Sequence, residues 1–394
     1  MTDQKSYLRD DSLITTHHAE DYEHYYNAVV PPVFMNSLHV FETLDSFYSA
    51  DPHDMHQYCY GRVQNPTVRI FEEKVAALEQ GTGAAAFASG MAAASTAVLA
   101  CVKDESHVVC IRNAYGPLRT FLTGYCAEHM HLKTTFVDGR DLQEFEEAVT
   151  DKTDLVILES PSSIVFSLQD IREVSALAHQ HGALVYIDNT FCTPIFQKPL
   201  QMGADIVMHT TSKYIGGHSD VIGGVLAVRD RTLFDKLLQM RELLGGIVGP
   251  MEAWLMIRGL RTLPVRVRQH QETALAVAQF LKKHERVKKV NYPGLTCHPQ
   301  YELMCRQQEG NTGLLSFEID GTVEQAVKVT EALRIFKIGV SWGGFESLVF
   351  MPHMKMSSEE CRILGGEPQI IRIHCGLEGT KYLLEDLESA LAGI

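Results

Sequence analysis

Lys213 stands in the segment His209-Thr210-Thr211-Ser212-Lys213-Tyr214-Ile215-Gly216-Gly217-His218-Ser219-Asp220, with a second glycine pair at Gly223-Gly224. Short hydroxyls before it and glycines after it let backbone crowd the amine and limit its hydration. An amine so placed can lose its proton and attack a carbonyl, as a Schiff-base lysine does. The segment alone would equally suit a turn lysine between two strands. Asp188 lies 25 residues earlier (213 − 188), closing the apolar run Leu184-Val185-Tyr186-Ile187. A carboxylate there is partly shielded from water and wants a cation or an N–H group beside it. On its own it also reads as a helix cap after a strand. Ser89-Gly90-Met91 turns a small-residue run into a helix, whose first amides would seat a phosphate. Close helix-sheet packing alone would select the same small residues.

The three groups make one ligand when taken together. A flat aromatic ring with a nitrogen for Asp188, an aldehyde for Lys213 and a phosphate for the Gly90 turn describes pyridoxal 5′-phosphate. The neighbouring hydroxyls of Thr210 and Ser212 strengthen that reading. Nothing in His17-His18, Asp21 and His24 requires a metal site; a polar N-terminal arm accounts for them.

Placing these groups side by side falls to the elements between about 60 and 230. Pro66 opens a helix running to about Gln80, with apolar residues near helical spacing. After the small-residue run at 84–94, short apolar runs at 107–111, 155–159, 184–188, 205–209 and 223–228 alternate with helical patterns near 116–129, 140–150, 168–182 and 197–202. That alternation predicts an α/β fold, a mostly parallel sheet with helices on both faces and ligand chemistry at the carboxyl ends of the strands. Tyr115, Glu159-Ser160-Pro161, Asp188-Asn189-Thr190 and Lys213 all follow such runs. Residues 1–60 are rich in aromatics without sustained periodicity, and read as an arm that buries its rings on a neighbouring subunit. Residues 61–250 form the large domain and 251–394 a smaller C-terminal α+β domain. In the latter a basic stretch at 258–268 leads into a helix to about Glu285.

Composition narrows the class further. A chain of 394 residues, 45% hydrophobic and 21% charged, can bury one large core and a second smaller one. A net charge of −14 argues against non-specific nucleic-acid binding and leaves small molecules as partners. No apolar stretch approaches the length of a membrane span, and Met1-Thr2-Asp3-Gln4-Lys5 lacks the apolar core of a signal peptide. Nine cysteines without a Cys-x-x-Cys pair fit reduced thiols, and with them a cytoplasmic location.

Six stretches resemble the Cys/Met-metabolism family of pyridoxal-phosphate enzymes, the trans-sulfuration enzymes. They are Tyr60-Gly61-Arg62-x-x-Asn65-Pro66-Thr67, Ser89-Gly90-Met91-Ala92-Ala93, Asp188-Asn189-Thr190-Phe191, the segment from Ser212 to Asp220, Arg258-Gly259-Leu260-Arg261-Thr262-Leu263, and Ser341-Trp342-Gly343-Gly344-Phe345-Glu346-Ser347-Leu348. The resemblance implies the aspartate-aminotransferase-like fold type I and a homotetramer of two dimers that share active sites. It implies Lys213 as the Schiff-base lysine and proton shuttle, Asp188 as partner of the pyridine nitrogen, and Tyr115 as the ring-stacking acid or base. It also gives Ser89, Gly90, Met91, Thr210 and Ser212 to the phosphate, completed by Tyr60 and Arg62 of the neighbouring subunit. Arg372 would clamp the substrate carboxylate, with Ser341 and Trp342 nearby. Gly116 after the stacking tyrosine, Ser163 in Glu159-Ser160-Pro161-Ser162-Ser163, and Trp342 resemble the β-eliminating members. These imply release of homocysteine, pyruvate and ammonia from cystathionine, with γ-elimination or γ-replacement, or a non-catalytic cofactor-binding role, as the alternatives.

Overall fold

Seven strands form the larger of two sheets in the computed structural model, which describes residues 10–51 and 57–394. The stretch Met1 to Lys5 therefore lies outside the described residues. The strands are β1 (Gly83–Phe87), β2 (His107–Ile111), β3 (Lys133–Val137), β4 (Thr153–Glu159), β5 (Leu184–Asp188), β6 (Ile206–Thr210) and β7 (Gly224–Val228), in the spatial order β1-β7-β6-β5-β4-β2-β3. Only β7 runs against its neighbours. β1, β4, β5 and β6 are buried along nearly their whole length and read as apolar runs, as strands covered on both faces must. β3 differs: of the sheet's two edge strands, β1 is buried throughout, whereas the Lys133-Thr134-Thr135 half of β3 is largely solvated. It has no apolar run, which is why the sequence pattern passes over it.

The helices that cover this sheet depart from expectation in detail. The pattern near 116–129 is one rod in three parts, Gly116–Phe121, a π-helical turn Leu122–Cys126, and Ala127–Met130. The pattern at 197–202 shrinks to a 3₁₀ turn, Pro199–Met202, because a proline opens it and Gly203 ends it at positive φ. Within the arm, Asp10 caps a helix Asp11–His17 whose Ile14 and Thr15 are buried.

The smaller sheet has β8 (Val287–Asn291), β9 (Leu314–Ile319), β10 (Lys337–Ile338), β11 (Leu348–Phe350) and β12 (Ile370–His374), in the order β10-β11-β12-β9-β8. The basic stretch 258–268 does not precede a helix; it lies inside one, Pro250–Lys283, which continues through Pro264. Arg266 reinforces the turns there, donating to the carbonyl oxygens of Gly259 and Tyr214 at 2.8 Å each. The first half of this helix, from Ala253 to Val267, packs in the core of the seven-stranded sheet, and Ala274 to Leu281 pack in the core of the five-stranded sheet. One continuous rod thus fixes the two sheets relative to each other and touches the turn that follows Lys213.

Candidate active site

The carboxyl ends of β1, β2, β4, β5 and β6 open on one edge of the large sheet. β1 leaves through Ser89, whose side chain accepts the Ala92 N–H at 3.0 Å and caps the helix Gly90–Cys101. A Cβ on Gly90 would stand 2.4 Å from Thr210 Oγ1, so only glycine lets this helix start so close to β6. The first N–H groups of that helix have no partner within it and carry partial positive charge.

β5 ends at Asp188, deep in the fold yet open to the cavity. Its Oδ1 accepts the Thr190 hydroxyl at 2.5 Å and the Thr190 N–H at 3.0 Å. Thr190 Oγ1 in turn accepts the Thr210 N–H at 2.8 Å, tying the exits of β5 and β6 together. Burial pushes the Asp188 carboxyl up, while the Thr190 bonds and the charges of His209 and Lys213 pull it back. Next to it, β4 presents Glu159, which accepts the Tyr115 N–H at 2.8 Å on Oε2 and the Ser163 N–H at 2.9 Å on Oε1. Burial, then the Asp188 charge, raises the Glu159 carboxyl to about 8. A buried pair formed by His209 and Glu79 at 2.6 Å pins the end of β6 from below.

Lys213 follows β6 by three residues. Its Nζ donates to Ser341 Oγ at 2.6 Å and sits 5.4 Å from the centre of the Trp342 ring. Burial first, and then the Arg372 charge, lowers its amine to about 8 against the pull of Asp188. Beneath it Tyr214 packs among Trp342, His270 and His374 at 5.5 to 5.6 Å between ring centres. The loop bearing Ser341 can press this close because Gly343 has φ +88° and any Cβ there would lie 2.7 Å from the Tyr214 nitrogen. Arg372, on β12, donates to the Val340 carbonyl at 2.8 Å and to that of Ser163 at 3.3 Å, and stacks over Phe350 at 5.6 Å. Burial lowers this guanidinium to about 10.

These groups face a cavity of about 450 Å³. Ser89, Gly90, Met91, Thr210 and Ser212 line it together with Asp188 and Lys213. Tyr115, Ser341, Trp342 and Arg372 complete the set drawn from the sequence. Tyr60 and Arg62 do not line it; Arg62 Nη1 donates to the Glu242 carbonyl at 2.9 Å instead. Two contributors went unassigned in the sequence, Glu159 and Thr190. Both had a signal: Glu159 ends an apolar strand, and an Asp-x-Thr turn lets the threonine donate to the aspartate. Ser163 points its N–H to Glu159 and its carbonyl to Arg372.

The lining fits one kind of ligand. Asp188 has no ion-pair partner among the described residues, so a ring N–H⁺ would supply the missing charge. The glycine-bared helix start suits a phosphate, and the desolvated Lys213 amine suits an aldehyde. An α/β scaffold with this trio at its strand ends defines a pyridoxal-phosphate site. Over residues 12–392 the chain matches the family described as Cys/Met metabolism PLP-dependent enzyme, and it belongs to that family. It is 38% identical to a cystathionine gamma-lyase of Dictyostelium discoideum over 369 residues, 92% of this chain and 93% of that one. It is 37% identical to a cystathionine beta-lyase of Coxiella burnetii over 370 residues, again 92% and 93%. The fold overlays a cystathionine gamma synthase from Xanthomonas oryzae pv. oryzae, solved in complex with aminoacrylate and cysteine. That match has TM-score 0.91 and 34% identity, covering 97% of this chain and 98% of the other. The protein is thus a pyridoxal-phosphate enzyme of sulfur amino-acid metabolism. Among the described residues no helix is long and apolar enough to cross a membrane.

Proposed function

We propose that the protein is a carbon-sulfur lyase that carries out β-elimination on cysteine S-conjugates, cystathionine among them, giving a thiol, pyruvate and ammonia. The observation that carries this reading is the Lys213 amine, lowered to about 8 and tied to Ser341 in the cavity that also holds Asp188 and Arg372. When bound, pyridoxal phosphate supplies an aldehyde for the substrate amine and a sink for the electrons left at Cα. The amides of Gly90 and Met91 and the hydroxyls of Ser89, Thr210 and Ser212 would hold its phosphate. Asp188 would keep the ring nitrogen protonated, with Thr190 holding that carboxylate in place. Arg372 grips the substrate carboxylate and so sets which Cα bond faces Lys213.

The Lys213 amine would take the Cα proton. Its ties to Ser341 and Trp342 confine the amine to a small region, which favours one deprotonation at Cα over the second one at Cβ that a γ route needs. Tyr115 keeps its phenolic proton, because burial and then the Asp188 charge push it up, and it gives that proton to the departing thiolate. Tyr60 and Arg62 would complete the phosphate seat of a second copy of the chain. Two measurements test the reading. Lys213→Ala should abolish both lyase activity and the visible absorbance of bound cofactor while the far-ultraviolet circular dichroism persists. The keto acid from cystathionine should be pyruvate; 2-oxobutyrate would establish γ-elimination instead.

A further inference from the structure

Among the described residues, four acidic or basic side chains line the cavity, Glu159, Asp188, Lys213 and Arg372, and each is committed. Glu159 receives two backbone N–H groups, and the other three serve the ring nitrogen, the carbonyl carbon and the substrate carboxylate in the reading above. Most of the remaining wall near the Arg372 clamp is apolar, Ser163 and Ser341 being its polar members. Phe350 pairs with Arg372 across β11 and β12 and stacks on its guanidinium. Val340, whose carbonyl Arg372 holds, and Ile222, before β7, are 72% and 68% exposed. Trp342, Ile164 and Pro352 close the same surface. Two large aliphatic side chains left open at the mouth of a cavity gain nothing from water, and gain from a ligand that covers them.

We infer that this apolar wall is the subsite for the sulfur substituent, and that the enzyme prefers cysteine thioethers with apolar substituents to cystathionine, whose substituent ends in an ammonium and a carboxylate. The inference rests on the lyase reading. Stripping water from a second charged head with no uncommitted ionic partner among the described lining residues is unfavourable, whereas an alkyl or benzyl group meets mainly carbon. The reaction balances without an oxidant: R–S–CH₂–CH(NH₃⁺)–COO⁻ and water give R–SH, pyruvate and ammonium. The Cβ–S bond breaks, its electron pair leaves with sulfur, and the proton lost from Cα is replaced on carbon when pyruvate forms.

S-isopentyl-cysteine tests it, since two methyls stand where cystathionine carries its distal ammonium and carboxylate. With the holoenzyme, kcat/KM for S-isopentyl-cysteine should exceed that for cystathionine by about tenfold or more. Equal or reversed values overturn the inference. Ile222→Asn should narrow the ratio of S-isopentyl- to S-methyl-cysteine turnover by about tenfold, and an unchanged ratio counts against the subsite. A binding arm separates this failure from that of the lyase reading. 2-Aminooctanoate, which has no sulfur to lose, should perturb the bound cofactor's absorbance at about tenfold lower concentration than 2-aminoadipate. That result supports the apolar subsite even if the keto acid proves to be 2-oxobutyrate. Equal concentrations overturn it even if the keto acid is pyruvate.

Discussion

Lys213 feels three influences that set its working range. Burial and the Arg372 charge lower its amine, and Asp188 raises it, leaving it at about 8 against 10.5 unperturbed. A lysine lowered on folding disfavours the folded state wherever the unfolded chain would be protonated. That deficit is full below about pH 8 and fades as pH rises toward 10.5. The same shift makes the amine available as a nucleophile. Cofactor uptake by the cofactor-free protein should therefore rise with pH to about 8 and then level, followed by absorbance. In Arg372→Leu the break should move upward, because one of the two lowering causes is gone. Thr190→Val removes the hydroxyl that donates to Asp188 and accepts from Thr210. The loss should amount to about 1–3 kcal/mol, read as a rise of about fivefold or more in the cofactor Kd. At this scale Lys213, Asp188 and Arg372 were legible because chemistry-bearing types sat at the ends of apolar runs. Glu159 and Thr190 were not assigned because their work is to hold other residues, and a pattern of types shows which groups can react more readily than which groups they lean on.

At the scale of elements, proximity comes from glycine contacts that a sequence encodes only as permission. The helix Gly90–Cys101 can start against β6 because position 90 lacks a Cβ. Gly90→Ala should thus disturb the seat locally, by about 1–3 kcal/mol of overpacking, with the sheet intact. The affinity for pyridoxal phosphate should fall much more than that for pyridoxal, which has no phosphate to seat; equal losses would place the damage elsewhere. The parallel strands were readable because burial on both faces imposes apolar runs. β3 escaped because an edge strand need not be apolar, and the rod Pro250–Lys283 escaped because Pro264 reads as a stop. What overrides the proline is tertiary: Gly259, Leu260, Leu263 and Val267 are buried against the large sheet, and Arg266 bonds the Gly259 and Tyr214 carbonyls.

For the whole molecule, the feature that the single chain leaves unexplained is its arm. Val29, Met35, Val40, Leu44 and Tyr48 are all exposed, an apolar surface that a second copy would cover. Tyr60 and Arg62 lie at the end of that arm and outside the cavity of their own chain. If Arg62 serves the cofactor phosphate of a second copy, two inactive variants can repair each other. Arg62→Ala lacks the phosphate contact but keeps Lys213, and Lys213→Ala lacks the amine but keeps Arg62. In a mixed dimer, one site would combine the intact Lys213 of one chain with the intact Arg62 of the other, while the opposite site carries both lesions. Random assembly of equal amounts makes half the dimers mixed, and half their sites competent, so coexpression should restore about a quarter of the wild-type rate. Each variant alone should show almost none. If Arg62 acts only within its own chain, through its bond to the Glu242 carbonyl, no mixed site is whole and coexpression restores nothing.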